Sequence, residues 1–123
     1  MKILIADDEA HILNAIKFLF AKRGHDVYLA EDGETALRLA RTEQPDLIFL
    51  DINMPRKSGL EVCEAIRADA SLGEPPIYIL TGQDRSFASE EHHASPGATA
   101  YLIKPIAPRD LLAILAAHQP GVG

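Results

Sequence analysis

Acidic side chains follow two apolar runs of the sequence, at the point where each run ends. Residues 3–6 lead into Asp7 and Asp8, and residues 47–50 lead into Asp51. Runs that are apolar at every position are typical of central strands in a parallel sheet, whose ligands bind beyond the carboxyl ends of the strands. We therefore expect the three carboxylates to converge at one edge of a sheet.

Two further apolar runs end in side chains that could bind an anion. Residues 77–80 lead into Thr81, and residues 98–103 lead into Lys104. A hydroxyl can donate a hydrogen bond, and an ammonium can donate a charge-assisted one. Neighbouring strands lie about 4.8 Å apart, so a lysine is long enough to help span the roughly 10 Å between the fifth strand and Asp51.

Three converging carboxylates repel one another, which raises the pKa of at least one of them unless a cation compensates. Oxygen ligands without a nearby pair of cysteines or histidines favour Mg²⁺ over zinc, and bound Mg²⁺ commonly shares a phosphate oxygen. The predicted chemistry is phosphoryl binding, with Thr81 and Lys104 as donors. Asp51, central among these groups, is the best candidate to accept phosphate as an acyl phosphate.

Strand and helix patterns alternate five times and would position these side chains. The candidate strands are residues 3–6, 27–30, 47–50, 77–80 and 98–103. This alternation predicts an α/β fold, a three-layer doubly wound sheet of five parallel strands in the order 2-1-3-4-5. In that order the four strands that end in candidate site residues are contiguous.

Local signals mark the ends of several connecting helices. Gly24 fits a cap residue after the first helix, Ser58 and Glu61 form a capping-box pattern before the third, and Pro108 fits the first position of the last. Residues 83–96 have few apolar side chains and a late proline, which predicts a short or poorly ordered fourth helix.

Composition bounds the class of protein. A chain of 123 residues fits one domain, which we place at residues 1–119, with residues 120–123 as a tail or the start of a linker. The net charge of −6, with scattered basic residues, argues against direct nucleic-acid binding by this domain. The sequence has no membrane-length apolar stretch and no signal peptide, so we expect a cytoplasmic protein without a membrane partner. The single cysteine, Cys63, fits a small core residue.

Each of these site residues also has a structural explanation when it is taken alone. Asp7, Asp8 and Glu9 could complement a helix dipole, Asp51 and Thr81 could be caps, and Lys104 could be solvated. Their joint placement at contiguous strand ends favours a functional site.

The same residues match the motifs of one family in the right order. The matching motifs are Asp7-Asp8, Asp51 with Met54-Pro55, Thr81-Gly82, and Tyr101 through Pro105, and together they resemble the receiver domain of bacterial two-component response regulators, the CheY-like family. The resemblance covers essentially the whole chain. It implies a signalling switch that catalyses only its own phosphorylation and dephosphorylation, and a cis peptide bond between Lys104 and Pro105.

The resemblance also implies roles for residues around the phosphoryl group. Asp51 would accept phosphate from a sensor histidine kinase or a phosphotransfer protein. Asp8, Asp51 and the backbone carbonyl of Asn53 would bind Mg²⁺ directly, and Asp7 would act mainly through water.

Other residues would couple phosphorylation to output. Thr81 and Tyr101 look like the family's switch pair, in which the phosphoryl group draws the hydroxyl inward and the tyrosine turns into the vacated space. This movement would change the surface of the fourth helix, the fifth strand and the last helix. Asn53 and Gln83 lie two residues beyond Asp51 and Thr81, at positions that tune the phosphoryl lifetime in the family.

Residues 81–97 depart from the family pattern, because this stretch is one residue longer than usual. Ser95 and Pro96 also replace the residues that normally end the fourth helix. His92 and His93 would point in different directions on a helix, so we expect a solvated face there rather than a metal site.

The last predicted helix is apolar nearly all round. Its large apolar residues are Leu111, Leu112, Ile114 and Leu115. We hypothesise that a partner or a second copy covers part of it, giving a homodimer through the fourth helix, the fifth strand and the last helix.

Two other functions use similar chemistry or the same topology. A phosphoaspartate-type hydrolase usually carries a second acid two residues after its nucleophile, where this chain has Asn53. A flavodoxin-like electron carrier needs a phosphate-cradling loop after the first strand, where the acidic residues 7–9 would repel the FMN phosphate. Both alternatives are therefore disfavoured.

Overall fold

The computed structural model describes residues 1–82 and 97–118 of the 123-residue chain. The strands are β1 (Lys2–Ala6), β2 (Asp26–Ala30), β3 (Leu47–Asp51), β4 (Ile77–Thr81) and β5 (Ala100–Ile103). The described helices are α1 (Ala10–Ala21), α2 (Gly33–Glu43), α3 (Gly59–Ala68) and the C-terminal helix α4 (Pro108–His118), with a 3-10 helix at Ala70–Leu72. The strands form one parallel sheet in the order β2-β1-β3-β4-β5, which confirms the predicted topology.

The two faces of the sheet build separate cores, because successive residues of a strand point to opposite faces. Leu4 and Ile48 belong to the core that α2 and α3 cover. Ile5 and Phe49 belong to the core that α1 and α4 cover. The central strand β3 is buried along its whole length. Helices on both faces therefore give the predicted three-layer architecture.

The same alternation places the charged residues of the site on one face. Asp7 lies two residues after Ile5, Asp51 two after Phe49, and Lys104 two after Leu102, and these three apolar residues all belong to the core under α1 and α4. Three separate strand ends therefore direct charged side chains toward the same side of the sheet.

The start of α3 packs closely against the end of β3. A Cβ atom at Gly59 would clash with the backbone carbonyl oxygen of Asp51. The predicted capping box is present: Ser58 Oγ accepts from the Glu61 N–H, and the Glu61 carboxylate accepts from the Ser58 N–H. The capping box stabilises the first turn of α3, and the close approach at Gly59 places that turn directly against Asp51.

The fifth strand begins two residues later than predicted. The Thr99 N–H donates to the Ile77 carbonyl, but the Ile77 N–H donates to the Thr99 side-chain oxygen instead of to a backbone carbonyl. The hydroxyl therefore replaces one ladder bond, and regular pairing with β4 starts at Ala100.

Other local predictions hold with small shifts. Pro108 is the first residue of α4, and the peptide bond between Lys104 and Pro105 is cis. Cys63 is buried in the core between the sheet and α3. The first helix ends at Ala21, shortly before the predicted cap residue Gly24, which has a positive φ.

The predicted fourth helix lies outside the described residues. This applies to residues 83–96 as a whole, which include Gln83, His92, His93, Ser95 and Pro96, and to residues 119–123 of the predicted tail. Within residues 1–82 and 97–118, none of the helices has the length and apolar character needed to cross a membrane.

Replacing Gly59 with alanine tests the packing between α3 and β3. The added Cβ would meet the Asp51 backbone, which cannot move away without shifting β3, so we expect a loss of about 1–3 kcal/mol in the free energy of unfolding. Urea unfolding measures this loss. Gly82→Ala is the control: a Cβ there meets no described atom within 4 Å, and its stability should change by less than about 0.5 kcal/mol. Equal stability of both variants would contradict the close packing.

Candidate functional site

The Lys104 ammonium lies at the centre of a group of carboxylates. Its Nζ is 2.8 Å from Asp7 Oδ2, 3.1 Å from Glu9 Oε1 and 3.3 Å from Asp51 Oδ2. The lysine side chain is only 13% exposed. It reaches from the end of β5 past β4 to β3, which confirms that a lysine can bridge this span.

Asp51 is a buried carboxylate with a raised pKa. Its Oδ1 accepts a hydrogen bond from the Asn53 N–H at 3.3 Å, and its Oδ2 faces Lys104. Burial raises the pKa of Asp51 to about 6 and the charge of Asp7 adds to this rise, although Lys104 and the Asn53 N–H oppose it. The ionised form of Asp51 therefore lowers the free energy of unfolding.

Lys104 remains charged in this environment. Burial by itself would lower the pKa of its ammonium, but the close contact with Asp7 and the charges of Asp51 and Asp7 outweigh burial and raise the pKa above its usual value. The site thus keeps one permanent positive charge among several negative ones.

Three of the carboxylates could share a metal ion. Asp7, Asp8 and Asp51 each place one oxygen within 4.8 Å of the others. Asp7 is fully buried, and its Oδ1 accepts from the Glu9 N–H. Its Oδ2 has the ion pair with Lys104 but no hydrogen bond of regular geometry in the part of the chain that the structure describes. This set of hard oxygen donors fits Mg²⁺.

The cluster opens into a solvent-accessible cleft. The cleft has a volume of about 490 Å³ and is lined by Asp8, Glu9, Ile12, Asp51, Asn53, Gly82, Lys104 and Pro105. Asp8 and Asn53 are exposed at its rim, whereas Asp51 lies at its buried end. A small anionic group could therefore reach Asp51 and Lys104 together.

The predicted switch residues lie toward the other face of the sheet. Thr81 is 2% exposed, and its hydroxyl donates to the Gly82 carbonyl at 3.3 Å. Tyr101 is paired with Ile79 in the sheet and packs, partly buried, against the core under α2 and α3. Both residues thus belong to the layer opposite the carboxylate cluster, and Thr81 lies at the end of β4 next to Gly82, which lines the cleft. Gln83 lies outside the described residues.

Glu9 is the member of the cluster that was not predicted to be a site residue from the sequence. Its contact with Lys104 joins residues 95 positions apart, so no local pattern predicts it. One signal was available, because Glu9 occupies the N-cap of α1, where glutamate is not among the preferred caps. Its side chain makes no cap hydrogen bond and is free to reach elsewhere.

Comparison with known proteins decides the family. The family model for the response regulator receiver domain matches residues 3–116. This chain belongs to the response regulator receiver domain family. The receiver fold and the two-component family inferred from the sequence motifs are both confirmed.

A curated relative supports this assignment. The chain is 40% identical over 110 residues to the alkaline phosphatase synthesis transcriptional regulatory protein PhoP of Bacillus subtilis (strain 168). The match covers 89% of this chain and 45% of PhoP, so this receiver domain spans about half the length of that relative.

Solved receiver structures superpose closely. The chemotaxis response regulator CheY4 of Vibrio cholerae is 34% identical with a TM-score of 0.83, covering 94% of this chain and 96% of CheY4. The REC domain of AraT, a response regulator from Geobacillus stearothermophilus, is 34% identical with a TM-score of 0.80, covering 94% and 90% of the two chains.

Membership in the receiver domain family distinguishes between the three functions that the sequence suggested. Receiver domains are phosphoryl-accepting switches of two-component systems, interact with histidine kinases or phosphotransfer proteins, and generally bind Mg²⁺. The Asp7, Asp8 and Asp51 cluster of this receiver domain fits a phosphorylation site. The phosphoaspartate hydrolase and the flavodoxin-like carrier are accordingly not favoured.

Replacing Asp51 with asparagine tests the electrostatic cost of the site. Folding raises the pKa of Asp51 to about 6 from the usual 3.8. The folded wild type therefore gains stability from this group as pH falls through about 6. Without Mg²⁺, Asp51→Asn should be more stable than wild type by roughly 1–3 kcal/mol at pH 7.5, and this gap should narrow as the pH falls below about 6 and close near pH 4, roughly the pKa of an unfolded aspartate.

Urea unfolding at several pH values measures this gap. Asp32→Asn is the control, because the backbone hydrogen bond from Thr35 lowers the pKa of Asp32 and its ionised form stabilises the fold. That variant should show no gain at pH 7.5. A pH-independent difference between wild type and Asp51→Asn would contradict the buried-charge account.

Proposed function

We propose that Asp51 is the residue of this receiver domain that accepts the phosphoryl group. The observation that carries the proposal is the placement of Asp51 at the buried end of the cleft, 3.3 Å from the Lys104 ammonium and beside the carboxylates of Asp7 and Asp8. A nucleophilic carboxylate, a counter-charge and a cation site therefore converge at one point.

In the proposed reaction an oxygen of Asp51 attacks the phosphorus of a phosphohistidine or of a small phosphodonor. The bond between phosphorus and the donor breaks, its electron pair leaves with the donor, and an acyl phosphate forms on Asp51. Lys104 donates hydrogen bonds to the phosphoryl oxygens and offsets their charge. The receiver domain in this way catalyses its own phosphorylation, and we propose the same groups for its dephosphorylation.

Mg²⁺ is the proposed cofactor of this site. Asp8, Asp51 and the backbone carbonyl of Asn53 would hold the ion directly, and Asp7 would act mainly through water. When bound, Mg²⁺ would offset the negative charge of the transferring phosphoryl group. The exposed side chain of Asn53 borders the cleft, which supports its proposed influence, with Gln83, on the lifetime of the phosphoryl group.

Thr81 and Tyr101 form the proposed switch. Thr81 is buried beside the cleft, and its hydroxyl donates a long hydrogen bond to the next carbonyl, so a nearby phosphoryl oxygen could attract it. Tyr101 packs on the same side of the sheet as Thr81 and could respond to its displacement. Phosphorylation would bias an existing equilibrium between two arrangements of this region.

The proposed partners are a phosphodonor and a second copy of the chain. A sensor histidine kinase or phosphotransfer protein would supply phosphate through the open cleft. Ile103 on β5 is a large apolar residue that is 55% exposed, and Leu112 and Ile114 on α4 are only partly buried. This surface supports the proposed homodimer, whereas the net charge of −6 argues against direct nucleic-acid binding.

Phosphorylation can be tested by incubating the receiver domain with acetyl phosphate and measuring its intact mass. With Mg²⁺, wild type should gain the mass of one phosphoryl group, because Asp51 can form an acyl phosphate. Asp51→Asn should gain none, and EDTA should prevent labelling of wild type. Asp46→Asn, which removes an exposed acid elsewhere, is the matched control and should be labelled like wild type. Equal labelling of Asp51→Asn would contradict Asp51 as the acceptor.

Oligomeric state can be tested by light scattering coupled to size-exclusion chromatography. Phosphorylated wild type should form dimers, because the switch would expose or reshape the apolar surface at β5 and α4. Ile103→Lys should remain monomeric while keeping its phosphoryl group, since a charge there would be buried at the interface. A monomer at high concentration, phosphorylated or not, would reject the dimer.

A further inference from the structure

We propose that Glu9 is a positioning residue for phosphoryl transfer, whose carboxylate holds the Lys104 ammonium in the resting state and competes for it with the incoming phosphoryl group. This inference rests on the proposed transfer to Asp51. It concerns how readily the Lys104 ammonium can leave a resting contact and bind the phosphoryl group.

The first observation is that the Lys104 ammonium is already surrounded by carboxylates in the resting state. A lysine ammonium has three N–H donors, and its Nζ has three carboxylate neighbours within 3.3 Å, from Asp7, Glu9 and Asp51. A phosphoryl group on Asp51 brings additional acceptor oxygens to the same place. At least one existing contact of Lys104 must therefore weaken when the phosphoryl group arrives.

The second observation is that the three contacts differ in how easily they can be given up. Asp7 is fully buried, and its Oδ2 accepts no hydrogen bond of regular geometry from the described residues. Without Lys104, the negative charge of this oxygen would therefore be buried and uncompensated. Asp51 must stay beside the lysine because it carries the phosphoryl group. The Glu9 side chain is 48% exposed, so water can solvate its carboxylate after release. Glu9 is accordingly the contact that is released at least cost.

The third observation is that Glu9 does not serve the helix that it begins. Glu9 is the N-cap of α1, and its backbone carbonyl accepts from Ile12 and Leu13, but its side chain makes no cap hydrogen bond. Its Oε1 instead accepts from Lys104, and its Oε2 lies 3.9 Å from His11 Nε2. A shorter acid at this position would bond to the helix N-terminus and would not reach the lysine.

These observations define two variants that separate the lysine contact from simple charge. Glu9→Gln removes the negative charge at the mouth of the cleft and weakens the contact. Glu9→Asp keeps that charge, but its side chain is one carbon shorter and is expected to cap α1 instead. If Glu9 acts by holding Lys104, both variants should be phosphorylated faster. If it acts only through charge at the mouth, only Glu9→Gln should differ from wild type.

The expected size of the effect follows from the exposure of the pair. Because about half of the Glu9 side chain is exposed, we expect its contact to contribute on the scale of a surface ion pair, which corresponds to a change of up to about fivefold in rate. We therefore expect the rate constant for labelling by acetyl phosphate with Mg²⁺ to rise about two- to fivefold in both variants. The increase should persist at saturating donor, because Lys104 acts on the transferring group and not only on donor binding.

A second readout tests the contact without the metal or the reaction. In the resting protein, the Lys104 ammonium should give a slowly exchanging proton signal by nuclear magnetic resonance. Its exchange with water should be faster in Glu9→Gln and Glu9→Asp, because one of its three acceptors is lost. Thermal unfolding of Glu9→Asp should occur at or above the wild-type temperature, which would exclude a loss of folding as the cause.

Each outcome separates this inference from the function on which it rests. Faster labelling and faster ammonium exchange in both variants support the role of Glu9. Labelled wild type with unchanged or slower variants, or acceleration in Glu9→Gln alone, overturns the role of Glu9 and leaves Asp51 as the acceptor. Wild type that cannot be labelled at all rejects both proposals.

Discussion

The structure depends on placing several carboxylates around one largely buried lysine at the inner end of an open cleft. Burying like charges together is unfavourable, and the raised pKa of Asp51 reflects that cost. Lys104 balances part of the charge through its contacts with Asp7, Glu9 and Asp51. The remaining negative charge makes the site receptive to a divalent cation. In the proposed function, a bound cation would let a phosphoryl group approach where anions would otherwise be repelled.

The parallel sheet is what makes this arrangement possible. Parallel strands all end at one edge, and alternation of side chains sends Asp7, Asp51 and Lys104 to the face covered by α1 and α4. Thr81 and Tyr101 occupy the face covered by α2 and α3. The carboxylate cluster and the proposed switch residues therefore lie at the same edge of the sheet while belonging to different layers. In the proposed mechanism, a change at the phosphoryl group would pass through this edge to the opposite side.

Much of this arrangement could be predicted because the decisive signals are local or topological. Apolar runs that end in Asp51 or Lys104 identify the strands, and alternation with helices determines their order. The capping box at Ser58 and Glu61 needs only four consecutive residues. The contact between Glu9 and Lys104 could not be predicted in this way, because it depends on two side-chain conformations 95 positions apart. The late start of β5 likewise depends on which oxygen of Thr99 accepts one hydrogen bond.

The central claim is that Asp8 and Asp51 together coordinate one Mg²⁺ ion beside Lys104. A crystal structure of the receiver domain grown with Mg²⁺ tests this claim most directly. The account predicts one ion with oxygens of Asp8 and Asp51 at about 2.0–2.1 Å, and with the Lys104 ammonium retained next to Asp51. An ion bound elsewhere, or one that contacts neither carboxylate, would contradict it.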